Sequence, residues 1–196
     1  MVTKKGQVKK TVLEQYSRPR VNGINAISIK DGDELLSAVL TDGKNQVMLG
    51  LRSGKALRFE EKHIRPMGRG AAGVKGITLV SDKDEVIGMI CVKNPQEETV
   101  LVVSEKGYGK RTFIDDQDGE PVYRITNRGG KGVKTISISE KTGQLVALKT
   151  VQDDDDLMII KKSGVAIRMS VSDIRTMGRS TQGVRLISLK GEDEIA

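Results

Sequence analysis

The lysines and arginines are the residues of this chain whose spacing most clearly indicates a chemistry. A glycine typical of a tight turn occurs four times, and a basic residue stands four positions after each one. These turn glycines are Gly6, Gly54, Gly107 and Gly164, and the basic residues are Lys10, Arg58, Arg111 and Arg168. A nucleic-acid duplex carries about one negative charge per 1.7 Å of its axis. Cations repeated at a fixed spacing therefore favour a regular polyanion as partner.

A second motif also occurs four times and is flanked by further basic residues. It reads Gly-(Val/Ile)-(Asn/Lys/Arg)-x-Ile-(Ser/Thr)-(Ile/Leu), and it begins at the anchor glycines Gly23, Gly73, Gly132 and Gly183. Basic residues precede each anchor glycine, and three of the four motifs also carry one two positions after it. The full set of candidate phosphate contacts is Lys10, Arg20, Arg58, Arg65, Arg69, Lys75, Arg111, Arg124, Arg128, Lys131, Lys134, Arg168, Arg175, Arg179 and Arg185.

Charge is also segregated by half-repeat, within a net charge of +7. In a repeat protein equivalent segments occupy equivalent places, so the basic halves are expected to form one belt. Solvated loops are the alternative interpretation, and they explain a single Arg better than a recurrence in four copies. The stretches 1–30, 52–75, 102–134 and 161–185 carry +6, +5, +2 and +5, whereas 31–51, 76–101 and 135–160 carry −3 each and 186–196 carries −2.

The elements that must position these residues read as strands. The turn glycines are 48, 53 and 57 residues apart, and a period near 50 is typical of four-stranded propeller blades. The apolar runs at 46–51, 99–104 and 157–160 lead into the turns. In Leu57-Arg58-Phe59, alternation predicts the Arg on the solvent face. We therefore expect an all-β, propeller-like fold.

The 196 residues are expected to form one domain. Its repeats fall at about 1–36, 37–87, 88–146 and 147–196, and an acidic insertion at 115–120 lengthens the third. The first repeat has only Met1-Val2 before its turn region, which indicates an array truncated on its N-terminal side.

Other residue types limit the function classes. One cysteine, no apolar run of about 20 residues and no secretory leader indicate a soluble, cytoplasmic protein. His63 is the only histidine, and Cys91 is expected to be buried. The run Asp153–Asp156 lacks the glycine and glutamate spacing of a calcium loop and predicts a solvated turn. We expect no catalytic site and no cofactor in this domain.

The most specific sequence patterns lie just before the anchor glycines. Arg65-Pro66-Met67-Gly68-Arg69 and Arg175-Thr176-Met177-Gly178-Arg179, with the stretch from Tyr123 to Thr135, resemble blades of the C-terminal domain of the bacterial DNA gyrase A protein. The topoisomerase IV counterpart shares that fold. The resemblance implies a β-pinwheel of about six blades, of which this chain holds about four, with strands exchanged between neighbours.

The resemblance also implies a function. The family's domain wraps duplex DNA around a basic rim without reading its sequence, so that the type II topoisomerase introduces negative supercoils with ATP. Gyrase B and the rest of gyrase A are the implied protein partners, and ATP and Mg²⁺ are expected elsewhere in the parent enzyme. Asn127-Arg128-Gly129-Gly130-Lys131-Gly132 resembles a degenerate copy of the family's Gln-Arg-Arg-Gly-Gly-Lys-Gly box. We expect an intact box upstream of Met1.

Three alternatives remain open at the level of the sequence. The chain also fits the topoisomerase IV counterpart, because the intact box is absent. Protein-interaction propellers of the kelch or chromatin-condensation-regulator type have similar periods, but they do not require a basic residue after every turn glycine. An enzyme with its active site at the propeller hub is disfavoured, because no Asp, Glu or His cluster recurs at matched positions.

Overall fold

A computed structural model describes residues 1–189, 191 and 193–195 and confirms the all-β expectation. Within that part the chain forms fifteen strands and three single turns of 3₁₀ helix, at Leu13–Tyr16, Glu61–His63 and Val171–Asp173. The strands are β1 (Val2–Thr3), β2 (Gln7–Val8), β3 (Leu35–Ser37), β4 (Gln46–Leu51), β5 (Lys55–Glu60), β6 (Val74–Lys75), β7 (Val86–Val92), β8 (Thr99–Ser104), β9 (Tyr108–Phe113), β10 (Ile125–Thr126), β11 (Val133–Lys134), β12 (Leu145–Val151), β13 (Asp156–Ile160), β14 (Ala166–Ser170) and β15 (Val184–Arg185).

Each repeat is built on a hairpin that closes at its turn glycine. In the second repeat, β4 and β5 pair antiparallel and Gly54 turns the chain with a φ of +80°. A Cβ added to Gly54 would lie 2.6 Å from a side-chain carbon of Ile138 and 2.9 Å from the carbonyl oxygen of Ile136. Both the positive φ and the close packing require glycine at this position.

The hairpins are completed by a strand from the following repeat. The strand orders are β3-β1-β2-β6, β7-β4-β5-β11 and β12-β8-β9-β15, while β13 and β14 form a fourth sheet. In the second sheet the edge of β5 that pairs with β11 also pairs, in parallel, with β10. The strands β6, β11 and β15 each begin one residue after an anchor glycine, so each belongs to the repeat after the hairpin that it joins. Neighbouring repeats are thus connected by exchanged strands.

The opposite edge of each sheet faces its neighbours in the interior. Strand β7 packs against both β3 and β12, which places these three strands together and the exchanged strands at the periphery. Gly50 and Gly88 permit this approach, since Cβ atoms there would lie 3.1–3.2 Å from Leu148.

Three apolar clusters hold successive repeats together. One joins the first and second repeats and includes Val8, Phe59 and Ile77, and the other two repeat this arrangement further along the chain. The Ile of the second motif is buried in each cluster as Ile77, Ile136 or Ile187. Burial of such a side chain contributes roughly 1.5–3 kcal/mol, which explains why the motif requires an aliphatic residue there.

Candidate nucleic-acid interface

The structure corrects the expectation for the basic residues that follow the turn glycines. Arg58 is 2% exposed, whereas the alternating pattern predicted it on the solvent face. Its guanidinium pairs with Asp115 at 2.5 Å and donates to the carbonyl oxygen of Tyr123 at 2.9 Å. Alternation assigned Arg58 correctly to the face opposite Leu57 and Phe59, but the third repeat covers that face. The side chain holds two repeats together.

Arg111 repeats this arrangement between the third and fourth repeats. It is 6% exposed, pairs with Asp153 and donates through Nε to the carbonyl oxygen of Ile174 at 2.8 Å. The prediction that Arg58 and Arg111 project toward phosphates is therefore wrong. The aspartates that pair with them come from the acidic insertion and from the acidic run 153–156, so each of these segments supplies the carboxylate partner of a buried arginine.

The two remaining members of this set are also paired with carboxylates. Lys10 is half-buried and lies 3.6 Å from a carboxylate oxygen of Glu61. Arg168 is exposed and pairs with Asp156, whose hydrogen bond and charge raise the pKa of the arginine. The basic residues four positions after the turn glycines are therefore largely neutralised by carboxylates.

The other candidate residues gather on loops at the periphery. We define the basic loops as residues 65–71, 124–130 and 175–181, each of which ends two residues before an anchor glycine. Each loop runs parallel to the second hairpin strand of the preceding repeat, through the pairs Lys10–Pro66, β5–β10 and Arg111–Thr176. The exposed candidates in and beside the loops are Arg65, Lys75, Arg124, Lys131, Lys134, Arg175 and Arg185, and Arg20 is exposed before the first anchor glycine.

Backbone hydrogen bonds join each basic loop to the second motif of the repeat before it. The amide of the motif's Ser or Thr donates to the last carbonyl of the next loop, from Ser28 to Ala71 (3.3 Å), Thr78 to Gly130 (2.8 Å) and Ser137 to Thr181 (3.0 Å). This Ser/Thr is a recurring position of the motif, but its spacing alone indicated no role. The bonds connect the basic loops into a continuous peripheral row.

Half-buried arginines strengthen the same connections. Each donates to the carbonyl oxygen of the residue two positions after the preceding anchor glycine. The pairs are Arg69 to Asn25 (3.4 Å), Arg128 to Lys75 (3.0 Å) and Arg179 to Lys134 (3.2 Å). A guanidinium has five N–H groups, so each of these arginines retains donors for a phosphate.

Two buried lysines lie beneath the row, and neither was among the residues predicted from the sequence. Lys9 donates to the carbonyl oxygens of Ala26, at 2.5 Å, and Arg69. Lys110 donates to the carbonyl oxygens of Gly178 and, at 2.7 Å, Arg179. Burial, with a smaller contribution from Arg179, lowers the pKa of Lys110 to about 8, and burial likewise lowers the pKa of Lys9. The sequence feature that could have identified both lysines is their common position, three residues after a turn glycine.

Arg185 is positioned by an aromatic ring on the last exchanged strand. Its guanidinium carbon lies 5.5 Å from the ring centroid of Tyr108, and its Nη2 donates to the tyrosine hydroxyl at 3.1 Å. This hydrogen bond is the largest cause of a lowered pKa for Tyr108. The contact holds Arg185 at the sheet edge while leaving it exposed.

Groups suited to catalysis are dispersed. Cys91 is half-buried, and burial raises the pKa of its thiol to about 11, which makes it a poor nucleophile at neutral pH. His63 lies 3.7 Å from a carboxylate oxygen of Glu60. Across residues 1–189, 191 and 193–195, no group of three or more His, Cys, Asp or Glu side chains could hold a metal ion. No helix in that same part of the chain is long and apolar enough to cross a membrane.

Comparison with known proteins gives a consistent result. The family described as "DNA gyrase C-terminal domain, beta-propeller" matches residues 1–42, 52–93, 98–116, 122–152 and 155–196. The DNA gyrase A protein of Staphylococcus aureus (strain MRSA252) is 46% identical over 192 residues, which are 98% of this chain and 21% of that protein. The chain therefore spans about a fifth of the length of this relative.

Solved structures share the fold. A crystal structure of the C-terminal domain of DNA topoisomerase IV superposes with a TM-score of 0.88 at 25% identity, covering 99% of this chain and 58% of the other. A DNA gyrase A C-terminal domain superposes with a TM-score of 0.83, also at 25% identity, covering 99% and 62%. The predicted propeller-like fold is confirmed.

Proposed function

The chain belongs to the DNA gyrase C-terminal domain family, and from this premise we propose that it binds and wraps duplex DNA without sequence specificity as part of a gyrase A protein. In that setting it acts in the bacterial cytoplasm with the rest of gyrase A and with gyrase B. It supports negative supercoiling, while ATP and Mg²⁺ act in other parts of the enzyme. The identity with gyrase A over nearly the whole chain favours this role over a place in topoisomerase IV.

The row of basic loops is the observation that carries the proposal. Three successive loops present exposed arginines at equivalent positions, and backbone bonds join each loop to the neighbouring repeat. Each phosphate that a cation neutralises releases condensed counterions, so affinity rises with the number of loops engaged. Bending a short duplex by 40–90° costs roughly 1–6 kcal/mol, and contacts spread over several repeats can offset that cost.

Sequence tolerance follows from the same geometry. Sequence is read through side chains that reach base edges, most often from a helix placed in the major groove. The described residues contain only single 3₁₀ turns and no longer helix. The candidate contacts are arginines, lysines and loop backbone, which suit phosphate oxygens in any sequence.

A matched pair of charge-reversal variants tests the proposal. Replacing Arg65, Arg124 and Arg175 by Glu removes one exposed cation from each basic loop. Replacing Lys44, Lys93 and Lys149 by Glu changes the same charge at exposed sites in the acidic half-repeats. Duplex affinity is measured by fluorescence anisotropy across a range of salt concentrations.

We expect the loop variant to bind at least about tenfold more weakly than the wild type. Its plot of log affinity against log salt should be shallower by about 2.7, since each lost phosphate contact removes about 0.9. The control variant should retain most of the affinity and the full slope. Equal losses in both variants, or wild-type binding that is independent of salt, would refute the proposal.

A further inference from the structure

The residue three positions after the turn glycine alternates between two chemical types along the chain. It is Lys9 in the first repeat, Leu57 in the second, Lys110 in the third and Ile167 in the fourth. The basic loop of the following repeat changes in step. Arg-x-Met-Gly-Arg follows each lysine, at 65–69 and 175–179, whereas the glycine-rich loop at 124–130 follows Leu57.

Contacts across the repeat boundary explain this correspondence. Each lysine ammonium is buried and donates to loop carbonyl oxygens, those of Gly178 and Arg179 for Lys110 and that of Arg69 for Lys9. Neither ammonium has a carboxylate partner among the described residues. A charged donor buried beneath carbonyl groups is a strong directional restraint on the loop backbone.

The glycine-rich loop is held in a different way. A Cβ added to Gly130 would lie 3.2 Å from a methyl carbon of Leu57, so the loop backbone packs closely on that side chain. Thr78 satisfies the loop carbonyls, with its amide donating to Gly130 at 2.8 Å and its hydroxyl donating to Gly129 at 2.6 Å. Ser28 makes the equivalent bonds to Ala71 and Gly70 in the first loop, so the packing on Leu57 in place of a lysine is what distinguishes the glycine-rich loop.

We propose that Lys9 and Lys110 are positioning residues for the DNA interface, whose buried ammonium groups fix the loops that present Arg65, Arg69, Arg175 and Arg179. Leu57 takes the place of the lysine in the second repeat, and the glycine-rich loop that packs on it takes the place of the Arg-x-Met-Gly-Arg loop. The basic row thus contains two loop types, each specified by a residue of the preceding repeat. The link to DNA rests on the proposed function, whereas the fixing of the loop can be measured without DNA.

Lys110→Met tests the role of the ammonium, since methionine has a similar length and no donor. Hydrogen exchange is followed at the amides of Met177 and Thr181, which bond to Arg111 and Gly178 respectively, and at the core strand β8. Lys149→Met, at an exposed site, is the control. We expect exchange at both loop amides to accelerate at least about tenfold, β8 to stay protected, and duplex affinity to fall about tenfold. Unchanged loop exchange and affinity would overturn the proposal.

A chimera tests the same pairing if Lys110→Met destabilises the whole sheet. Lys110→Leu is combined with exchange of residues 175–181 for the sequence of residues 124–130, a segment of equal length and equal charge that keeps an arginine at positions 175 and 179. We expect this matched pair to recover loop protection and affinity that Lys110→Leu alone loses. Failure to recover either would overturn the pairing rule. If the wild-type chain does not bind DNA but the protection of its loop still depends on Lys110, only the proposed function is refuted.

Discussion

Arginines that look equivalent in the sequence have three different environments in the structure. Arg58 and Arg111 are buried and paired with aspartates between repeats. Arg128 and its two equivalents donate to the second motif of the preceding repeat, and Arg124 and its equivalents face solvent. The neighbouring carboxylates and the cover provided by the next repeat decide which arginines remain free to meet phosphates.

Arg58→Met is expected to destabilise the fold by about 3–5 kcal/mol, because it leaves the carboxylate of Asp115 and the carbonyl of Tyr123 without their buried partner. The free energy of unfolding is measured by urea denaturation. Arg168→Met is the control, since its exposed pair with Asp156 contributes little to stability. The DNA affinity of the folded Arg58→Met variant should stay close to that of the wild type. A large loss of affinity without a loss of stability would contradict the structural role.

Only part of this site could be predicted from the sequence. The basic loops could be predicted because their arginines recur next to the anchor glycines. These loops form the candidate interface. The burial of Arg58 could not be predicted, since alternation assigns a side chain to a face without showing that another repeat covers it. Lys9 and Lys110 were missed because a lysine in a strand is ordinarily solvated, and only their loop contacts identify them.

At the scale of elements, the exchanged strands explain the second motif. The copies of the motif that begin at Gly73, Gly132 and Gly183 each contribute a strand of two residues to the sheet of the preceding repeat and an isoleucine to the shared core. Its glycine is required by a close approach, since a Cβ on Gly132 would lie 2.6 Å from the carbonyl oxygen of Ala56. The repeat and its longer strands were predictable from the sequence. The partner of each exchanged strand was not, because a strand of two residues has no periodicity of its own.

Gly132→Ala is expected to weaken the exchange between the second and third repeats. The methyl group meets backbone at Ala56, and the φ of +70° adds strain of about 1–2 kcal/mol for a residue with a side chain. Gly43→Ala separates the two effects, because its φ is +89° but a Cβ there meets open space. Urea denaturation should show a clearly larger loss for Gly132→Ala, and hydrogen exchange should increase at Ala56. Equal losses in the two variants would show that only backbone strain matters.

At the scale of the whole molecule, the separation of charge has a structural explanation on both sides. Carboxylates of the acidic half-repeats cap the hairpin turns, as Asp84 does by accepting from the amide and hydroxyl of Ser53 at 3.0 and 2.8 Å. Asp193 accepts from Ser163 in the same way, and the hydrogen bond to that hydroxyl lowers its pKa. Carboxylates of the acidic segments thus cap hairpin turns or pair with the arginines that follow them, whereas the exposed cations lie in the basic loops and on the exchanged strands.

This arrangement predicts bending as well as binding. A duplex that follows the peripheral row must engage successive repeats, so its ends should approach each other when the chain binds. A duplex of about 60 base pairs carrying a donor and an acceptor dye at its ends measures this approach by energy transfer. Reversal of Arg124 and Lys134 to Glu, in and beside the middle loop, should lower the energy transfer of the bound complex more than the same change at the equivalent residues Arg65 and Lys75. The middle loop is the contact that the two outer loops share, and its loss leaves the duplex attached without a continuous curved path. Tight binding of the wild type without any gain in energy transfer would mean that the basic row holds DNA but does not wrap it.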